Sequence, residues 1–316
     1  MTPIASSHPR KFLSEPLAWC YSLWKFSRPH TIIGTSLSVL ALYLLALAAT
    51  GSGVAIANIL HFLGAWIACL CGNIYIVGLN QLEDIGIDKI NKPHLPLAAG
   101  EFSQRQGQWI VGMTGILALL IAGSLGWWLL MMVAVSLAIG TAYSLPPIRL
   151  KRFPFLAALC IFTVRGVVVN LGLFLHFGEK FGTEGGLTLS VVVLTVFIVV
   201  FTIAIAIFKD VPDLEGDREY NITTFTLLLG KATIFNLARW VISACYLGMI
   251  GVGIFKLPGA NSGFLISSHG LLLGLLWWRA RNVDLNDKSA IARFYQFIWK
   301  LFFLEYLLFP LACLLA

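Results

Sequence analysis

Long apolar stretches recur along almost the whole chain and constrain its fold more than any other feature. Most of them approach or exceed the roughly 20 residues that cross the hydrocarbon core of a bilayer as a helix. The nine stretches are Ile32–Thr50, Val54–Asn80, Trp109–Gly123, Trp127–Tyr143, Phe155–Phe177, Leu187–Phe208, Ile234–Phe255, Gly263–Trp278 and Gln296–Leu315. Because a backbone in lipid must satisfy its own hydrogen bonds, we predict an all-α, polytopic membrane protein of about nine transmembrane helices.

The composition supports this class and suggests how the chain is divided. Only 12% of the 316 residues are charged and 58% are hydrophobic, whereas about a quarter are charged in soluble domains. Residues 1–30 contain four prolines and no long apolar stretch, so we predict no secretory signal peptide there. We expect an N-terminal cytoplasmic segment over residues 1–30 and a single transmembrane domain over residues 31–316.

Basic residues are concentrated on one side of the predicted membrane. Of the 22 Lys and Arg residues, 17 lie in the N-terminal segment and in the loops after the second, fourth, sixth and eighth spans. Cytoplasmic loops of membrane proteins carry such an excess, so these loops are predicted to face the cytoplasm. The net charge of +7 then reflects topology and anionic partners at the membrane, and no nucleic acid partner is expected.

Two clusters of acidic residues, one of them with an asparagine, lie at the ends of spans. They are Asn80, Asp84 and Asp88 after the second span, and Asp210, Asp213 and Asp217 after the sixth. Residues three, four or seven positions apart share one helical face, where like charges repel each other. Carboxylate and amide oxygens suit Mg²⁺, which also bridges to substrate phosphates. We therefore predict that these six side chains hold Mg²⁺.

The placement of the two clusters indicates a repeated unit. Each cluster follows an even-numbered span, and four spans separate them. We predict two pseudo-repeated four-helix units plus one further helix, with the clusters facing each other across a central cavity.

Cations accompany the acids in the same layer. Arg28 precedes the first span, Arg149 and Lys151 follow the fourth, and Lys209 adjoins the second cluster. Metal-binding acids and phosphate-binding bases together describe a diphosphate site. The sequence has no Walker pattern and no G-x-G-x-x-G after a strand, so side chains are predicted to hold the phosphates.

One cation lies inside a span. Arg165 is ten residues into the fifth stretch, about 15 Å along a helix, and a charge at that depth suggests a functional role. We predict that Arg165, together with Asn170, binds an anionic group of a substrate. The alternative is a structural pair between Arg165 and a buried acid or carbonyl group.

The clustered residues form three sequence motifs. The first is N-x-x-x-D-x-x-x-D from Asn80 to Asp88, the second is D-x-x-x-D from Asp213 to Asp217, and the third is the Tyr143–Lys151 segment. They resemble motifs of the UbiA superfamily of intramembrane aromatic prenyltransferases. Within that superfamily, the amino-acid sequences of three segments resemble those of homogentisate prenyltransferases: Asn80–Gly100, Phe208–Arg218 and Phe294–Tyr306.

The resemblance implies a fold and a reaction. It implies nine helices around a cavity that opens laterally to lipid, in a thylakoid or cell membrane. It also implies Mg²⁺-dependent transfer of a phytyl group from phytyl diphosphate to homogentisate, with loss of CO₂ and diphosphate. The product would be 2-methyl-6-phytyl-1,4-benzoquinol, in tocopherol biosynthesis.

The resemblance also implies roles for individual residues. Catalytic roles fall to Asp84, Asp88, Asp213, Asp217 and Lys151. Diphosphate binding falls to Arg28, Tyr143, Arg149, Lys151 and Lys209. Arg165 and Asn170 would bind the homogentisate, or Arg165 would bind a diphosphate oxygen.

Several alternatives stay open at this point. Within the same chemistry, the donor could be geranylgeranyl or solanesyl diphosphate, and the acceptor could be dihydroxynaphthoate, 4-hydroxybenzoate, chlorophyllide or haem. A secondary transporter would also have buried charges, but transporters place them near the midplane at broken helices. A membrane scaffold would not require two opposed acidic clusters.

Overall fold

The computed structural model describes residues 9–52, 55–182, 186–209, 211 and 224–316. Within these ranges the regular secondary structure is entirely helical, with no β-strand. In chain order the α-helices are α1 (Pro16–Phe26), α2 (Pro29–Thr50), α3 (Ile56–Glu83), α4 (Ile85–Asn91), α5 (Gln104–Leu125), α6 (Trp127–Ser144), α7 (Pro154–Phe162), α8 (Val169–Lys180), α9 (Leu189–Phe208), α10 (Phe225–Leu229), α11 (Lys231–Ile254), α12 (Ser262–Ala280) and α13 (Lys288–Leu314). A 3₁₀ turn, Leu150–Arg152, precedes α7, and a π-helical segment, Thr163–Val168, joins α7 to α8.

Local sequence signals account for where many of these helices begin. Proline occupies the first turn of α1, α2 and α7, where its missing N–H has no partner to lose. Ser103 and Gln106 form a reciprocal capping box at the start of α5. Thr188 and Asn261 cap α9 and α12 through their side-chain oxygens. These caps satisfy backbone N–H groups that the first turn of a helix leaves open.

The predicted membrane class and fold are confirmed. Eight helical segments of the described ranges are long and apolar enough to span a bilayer, with α7, the π-helical segment and α8 counted as one. The eighth predicted stretch corresponds to α12, a helix of 19 residues that packs along α11. Each of the nine predicted stretches therefore corresponds to a long helical segment.

The helices form two neighbouring groups. In the first, α3 packs on α2, α5 and α6; in the second, α9 packs on α7 and α11, and α11 packs on α12. Contacts of α8 with α2 and α6 join the groups on one side. The last helix, α13, packs against α2, α9 and α12 and joins them on the other. This arrangement of four, four and one is the predicted architecture.

The helix α5 illustrates the lipid-facing surface. Its exposed apolar residues include Trp109, Met113, Ile116 and Leu120, which recur every three or four positions and so share one face. The opposite face carries Val111, Ala118 and other small or buried residues that pack into the bundle.

Residues 9–28 include a helix, α1, that packs against the rest of the bundle. In α1, Phe26 is fully buried against Phe102, with ring centroids 5.9 Å apart. The Glu101 carboxylate accepts hydrogen bonds from Ser22 Oγ, at 2.7 Å, and from Lys25 Nζ. Burial alone would raise the pKa of Glu101, but these two hydrogen bonds hold that pKa below its usual 4.5. A charged cluster thus fixes α1 against the bundle.

Candidate active site

A cavity of about 1220 Å³ lies between the two helix groups. It is lined by side chains of α2, α3, α6, α7, α9 and α13, among others. Ordinary small-molecule sites have volumes of roughly 300–1,000 Å³. The cavity therefore has room for a ligand larger than a typical metabolite.

The first acidic motif lies at the end of α3. Helix α3 ends at Glu83 and α4 begins at Ile85, so Asp84 occupies the junction with φ −113° and ψ 18°. The prediction of one continuous helical face is therefore wrong at this residue. The spacing is nevertheless preserved, because Asp84 N donates to Asn80 O and Asp88 N donates to Asp84 O. The break turns the motif towards the cavity, which all three motif residues line.

The motif carboxylate of Asp84 is surrounded by donors. Lys151 Nζ lies 2.6 Å and Arg149 Nη2 lies 3.1 Å from its two oxygens. The Asn80 amide donates to Asp84 Oδ2 at 3.0 Å. Burial lowers the pKa of Lys151 below its usual 10.5, although the nearby Asp84 carboxylate opposes this shift. The structure thus brings the first motif and the loop after α6 together, as predicted.

Two of the predicted phosphate-binding arginines have unusual backbone conformations. Arg28, just before α2, has φ +53°, and Arg149, just before the 3₁₀ turn, has φ +39°. Positive φ costs a residue with a side chain roughly 1 kcal/mol or more, and such strain clusters at functional sites. Arg28 Nη2 donates to Asn80 Oδ1 at 3.3 Å. The strained backbones therefore direct both guanidinium groups at the first motif.

The ends of α9 and α6 meet at the cavity wall, where Lys209 and Tyr143 are in contact. Lys209 Nζ donates to Tyr143 Oη at 3.3 Å and lies 5.9 Å from the centre of that ring. The second acidic motif follows Lys209 directly in the sequence. Its residues Asp210, Asp213 and Asp217 lie outside the described residues, so their metal-binding and catalytic roles stay predictions.

The donor set at this end of the cavity fits a hard divalent cation. The first motif offers the amide oxygen of Asn80 and the carboxylates of Asp84 and Asp88, and Asp88 is only 4% exposed. Such oxygen ligands suit Mg²⁺ and not a soft metal. In the described ranges, no three or more His, Cys, Asp or Glu side chains are grouped closely enough to hold a metal ion by themselves. The first motif alone is therefore an incomplete metal site.

A further cation reaches the cavity from inside a membrane-spanning segment. Arg165 lies in the π-helical segment, eleven residues after Pro154, or about 16 Å along the helix. Its guanidinium carbon lies 5.0 Å from the ring centre of Trp299 and 5.7 Å from that of Phe302. Gly34 of α2 lies next to it, since a Cβ there would be 3.4 Å from Arg165 Nη1. Among the described residues no carboxylate pairs with this arginine.

Asn170 is placed differently from Arg165. It is fully buried; its amide donates to Gly166 O at 2.7 Å, and its Oδ1 accepts from the Tyr306 hydroxyl at 3.0 Å. Asn170 is not among the residues that line the cavity. These bonds support the π-helical segment and join it to α13, so the predicted contact between Asn170 and a substrate gains no support. The buried Glu305 carboxylate of α13 lies 3.0 Å from His269 Nε2 and is also absent from the cavity wall.

Residues 32–301 match the model of the UbiA prenyltransferase family. The chain belongs to that family. It is 58% identical to the homogentisate phytyltransferase of Synechocystis sp. over 94% of this chain and 96% of that protein. It is 40% identical to the homogentisate geranylgeranyltransferase of Triticum aestivum, over 92% of this chain and 72% of that protein.

A solved structure confirms the fold independently of close sequence similarity. A UbiA homologue from Archaeoglobus fulgidus, solved with GPP and Mg²⁺ bound, superposes with a TM-score of 0.62. The match covers 92% of this chain and 99% of that one at 15% identity. The shared feature is the helical architecture, and the prediction of an intramembrane prenyltransferase is confirmed at the level of the family.

Sequence reasoning missed two aromatic groups in the cavity wall. Trp299 and His30 both line the cavity, and their ring centres lie 5.1 Å apart. Trp299 falls in the Phe294–Tyr306 segment that carries the resemblance, which was the available signal. That segment contains many aromatic residues, so no single one was identifiable before the packing was known.

The cavity therefore has two chemically distinct ends. We call the outer end the cluster of Arg28, Asn80, Asp84, Asp88, Tyr143, Arg149, Lys151 and Lys209. We call the inner end Arg165 with its neighbours Trp299 and Phe302. The outer end can bind a metal ion and phosphates, and the inner end can bind an anion beside aromatic rings.

Proposed function

We propose that this chain transfers a phytyl group from phytyl diphosphate to homogentisate in tocopherol biosynthesis, releasing CO₂ and diphosphate. The product is 2-methyl-6-phytyl-1,4-benzoquinol. One observation carries the proposal: one large cavity holds the acid-and-cation cluster of Asp84, Arg149 and Lys151 at one end and, at the other, Arg165, which no described carboxylate neutralises. The 58% identity to the Synechocystis enzyme supports the particular substrates.

The outer end supports cleavage of the donor. When the allylic C–O bond breaks, the electron pair leaves with the diphosphate, and fixed cations stabilise the charge that develops there. Lys151, Arg149 and Arg28 already point into this region, and Lys209 faces it from α9. Bound Mg²⁺, held by Asn80, Asp84, Asp88 and the aspartates after Lys209, would neutralise further charge on the diphosphate.

The inner end supports binding of the acceptor. Homogentisate carries a carboxylate, and Arg165 offers a guanidinium within a wall of aromatic rings. Such a cation binds a carboxylate more strongly in a low-dielectric site than in water. The surrounding helices exclude water, so the allylic cation meets the electron-rich ring before it meets a competing nucleophile.

Phytyl diphosphate is favoured over other donors by the comparisons. The phytyl-transferring relative shares 58% of aligned residues with this chain, and the geranylgeranyl-transferring relative shares 40%. Both donors have chains of the same length, so cavity volume does not distinguish them. We further propose that the outer end faces the cytoplasm of a cell, or the equivalent side of a thylakoid membrane, because the basic loops lie at that end.

The proposal is tested with purified protein in lipid nanodiscs. Labelled phytyl, geranylgeranyl and solanesyl diphosphates are each supplied with homogentisate or with 4-hydroxybenzoate, together with Mg²⁺ and a reductant, and products are identified by mass. We expect 2-methyl-6-phytyl-1,4-benzoquinol to form fastest, and a chelator to abolish it. Preferential use of geranylgeranyl or solanesyl diphosphate would overturn the donor, and transfer only to 4-hydroxybenzoate would overturn the acceptor.

A further inference from the structure

The helix α1 carries a second apolar face that the fold leaves uncovered. We call the outer stripe the residues Leu13, Leu17, Cys20, Tyr21 and Trp24, all of which are exposed. Leu13 is 95% exposed and Leu17 is 86% exposed. Within α1, residues 17, 20, 21 and 24 lie one, three or four positions apart and so share one side of the helix. Leu13 lies in the turn before it. Isolated exposed apolar residues are ordinary, whereas a contiguous stripe indicates a binding surface.

The opposite side of α1 shows that its orientation is fixed. Trp19 packs on Phe102 with ring centres 5.5 Å apart, and Ser22 and Phe26 are fully buried. Together with the Glu101 cluster, these contacts prevent the helix from turning the outer stripe inwards. The stripe therefore faces away from the protein because of packing and not because the helix is loosely attached.

The outer stripe lies next to a membrane-spanning helix. Only two residues separate α1, which ends at Phe26, from α2, which begins at Pro29 and is long and apolar enough to span a bilayer. Phe26 is fully buried on the side of α1 that packs against the bundle. The stripe, on the opposite side of α1, therefore lies at the end of the bundle where α2 enters the membrane.

We propose that α1 is an in-plane interfacial helix whose outer stripe is immersed in the bilayer at the level of the lipid headgroups. Tyr21 and Trp24 belong to the residue types that concentrate at that level. Exposed Lys11, just before α1, lies where it meets anionic headgroups. The occupant of this surface is lipid, not a second protein.

This immersion has a consequence for the cavity. Tyr21, which is 60% exposed and lies at the edge of the outer stripe, also borders the cavity, as does Lys25 of α1. An immersed α1 therefore sets these two side chains at the boundary between the bilayer and the cavity. That a lipid-tailed diphosphate arrives at this boundary rests on the proposed function. The immersion of α1 in the bilayer does not depend on the proposed function.

The native cysteine of the outer stripe allows a direct test. Cys20 is exposed, so an environment-sensitive fluorophore is attached to the wild-type protein in nanodiscs, and the signal of a labelled Cys20→Ser variant is subtracted. Two calibration labels are placed in the Cys20→Ser background, at Ile116→Cys on the lipid-facing side of α5 and at Asn286→Cys in an exposed loop. Quenching is measured with lipids that carry a nitroxide near the headgroup and with aqueous iodide.

We expect the Cys20 label to be quenched by the headgroup nitroxide more strongly than the label at residue 116, which lies near the middle of α5, and to be protected from iodide relative to residue 286. The double variant Leu13→Glu and Leu17→Glu should reverse both results at Cys20 while prenyl transfer still reports a folded protein. A Cys20 label that behaves like the label at residue 286 in the otherwise wild-type chain would overturn the proposal. Loss of prenyl transfer from the wild type would instead contradict the proposed function and leave the immersion result intact.

Discussion

The two ends of the cavity stabilise their charged groups in different ways. At the outer end, the cations are paired with protein oxygens: Lys151 and Arg149 contact the Asp84 carboxylate, and Arg28 contacts the Asn80 amide. At the inner end, the described residues give Arg165 two aromatic faces and no carboxylate. A cation–π contact is worth roughly 0.5–2 kcal/mol, less than a buried charge loses on leaving water.

This difference indicates how each end responds to a ligand. A diphosphate with its metal ion replaces existing partners at the outer end, so binding there is an exchange of ionic contacts. A carboxylate at the inner end gives Arg165 a counter-ion that the described part of the chain does not supply. We therefore expect substitutions at the outer end to weaken donor use and those at the inner end to weaken acceptor binding.

The largest effect is expected for Lys151→Met. This change removes the cation nearest to Asp84 and should lower kcat/KM for the donor about 10²–10³-fold, the usual loss for one charge-stabilising group. The KM for homogentisate should change little. Steady-state kinetics in nanodiscs check this, with Arg105→Gln as the control, because Arg105 is exposed and lies outside the cavity wall. An equal rise in the KM values for the donor and for homogentisate would contradict the assignment of the donor to the outer end and the acceptor to the inner end.

The next largest effect is expected for Arg165→Met. Loss of one charged hydrogen-bonding group should raise the KM for homogentisate about 10–100-fold, with an unchanged KM for the donor. The matched control is Arg239→Met, since Arg239 also lies between two aromatic rings, Phe235 and Trp277, each 4.9 Å away, but outside the cavity wall. Unchanged kinetics in a folded Arg165→Met protein would contradict the assignment of the inner end.

A smaller effect concerns pH. Burial lowers the pKa of Lys151, so its charge is lost as pH rises through a value below 10.5, and donor use should fall with it. In Lys151→Arg the guanidinium stays charged across this range, so the alkaline fall in kcat/KM for the donor should move to higher pH. A pH profile of both proteins measures this. If kcat/KM for the donor falls at the same alkaline pH in both proteins, a group other than Lys151 causes the fall.

The smallest effect is expected around α1, beside the outer end. Glu101→Gln removes the charge that binds Lys25 and Arg10 and should lower the free energy of unfolding by about 1–3 kcal/mol. The carboxyl pKa is held low in the folded protein, so the wild type should lose this stabilisation as pH falls through that lowered value. Thermal unfolding and hydrogen exchange of α1 measure the effect. Unchanged exchange in α1 would show that apolar packing alone holds the helix.

The sequence was informative where short-range patterns decide the structure. Apolar length predicted the spans, and the spacing of Asn80, Asp84 and Asp88 predicted that they act together. The alternation of basic loops predicted that Arg149 and Lys151 lie at the same membrane face as the first motif. These features depend on helix periodicity and membrane thickness, which the sequence expresses directly.

Features that depend on packing between distant helices were not predictable. The helix break at Asp84 and the π-helical segment at Arg165 have no sequence signal of their own. The cavity role of Trp299 depends on how α13 packs against α2, and the burial of Asn170 depends on the Tyr306 hydroxyl. The inner arginine was predicted from its depth, but its aromatic neighbours required the tertiary structure.

The central claim is tested most directly by neutralising one aspartate of each motif together. Prenyl transfer from phytyl diphosphate to homogentisate is measured for wild-type protein, for the double variant Asp84→Asn and Asp213→Asn, and for Glu179→Gln, an exposed control outside the cavity wall. The account predicts wild-type rates for the control and a loss of at least about 10²-fold for the double variant. Transfer at the wild-type rate by the folded double variant would contradict it.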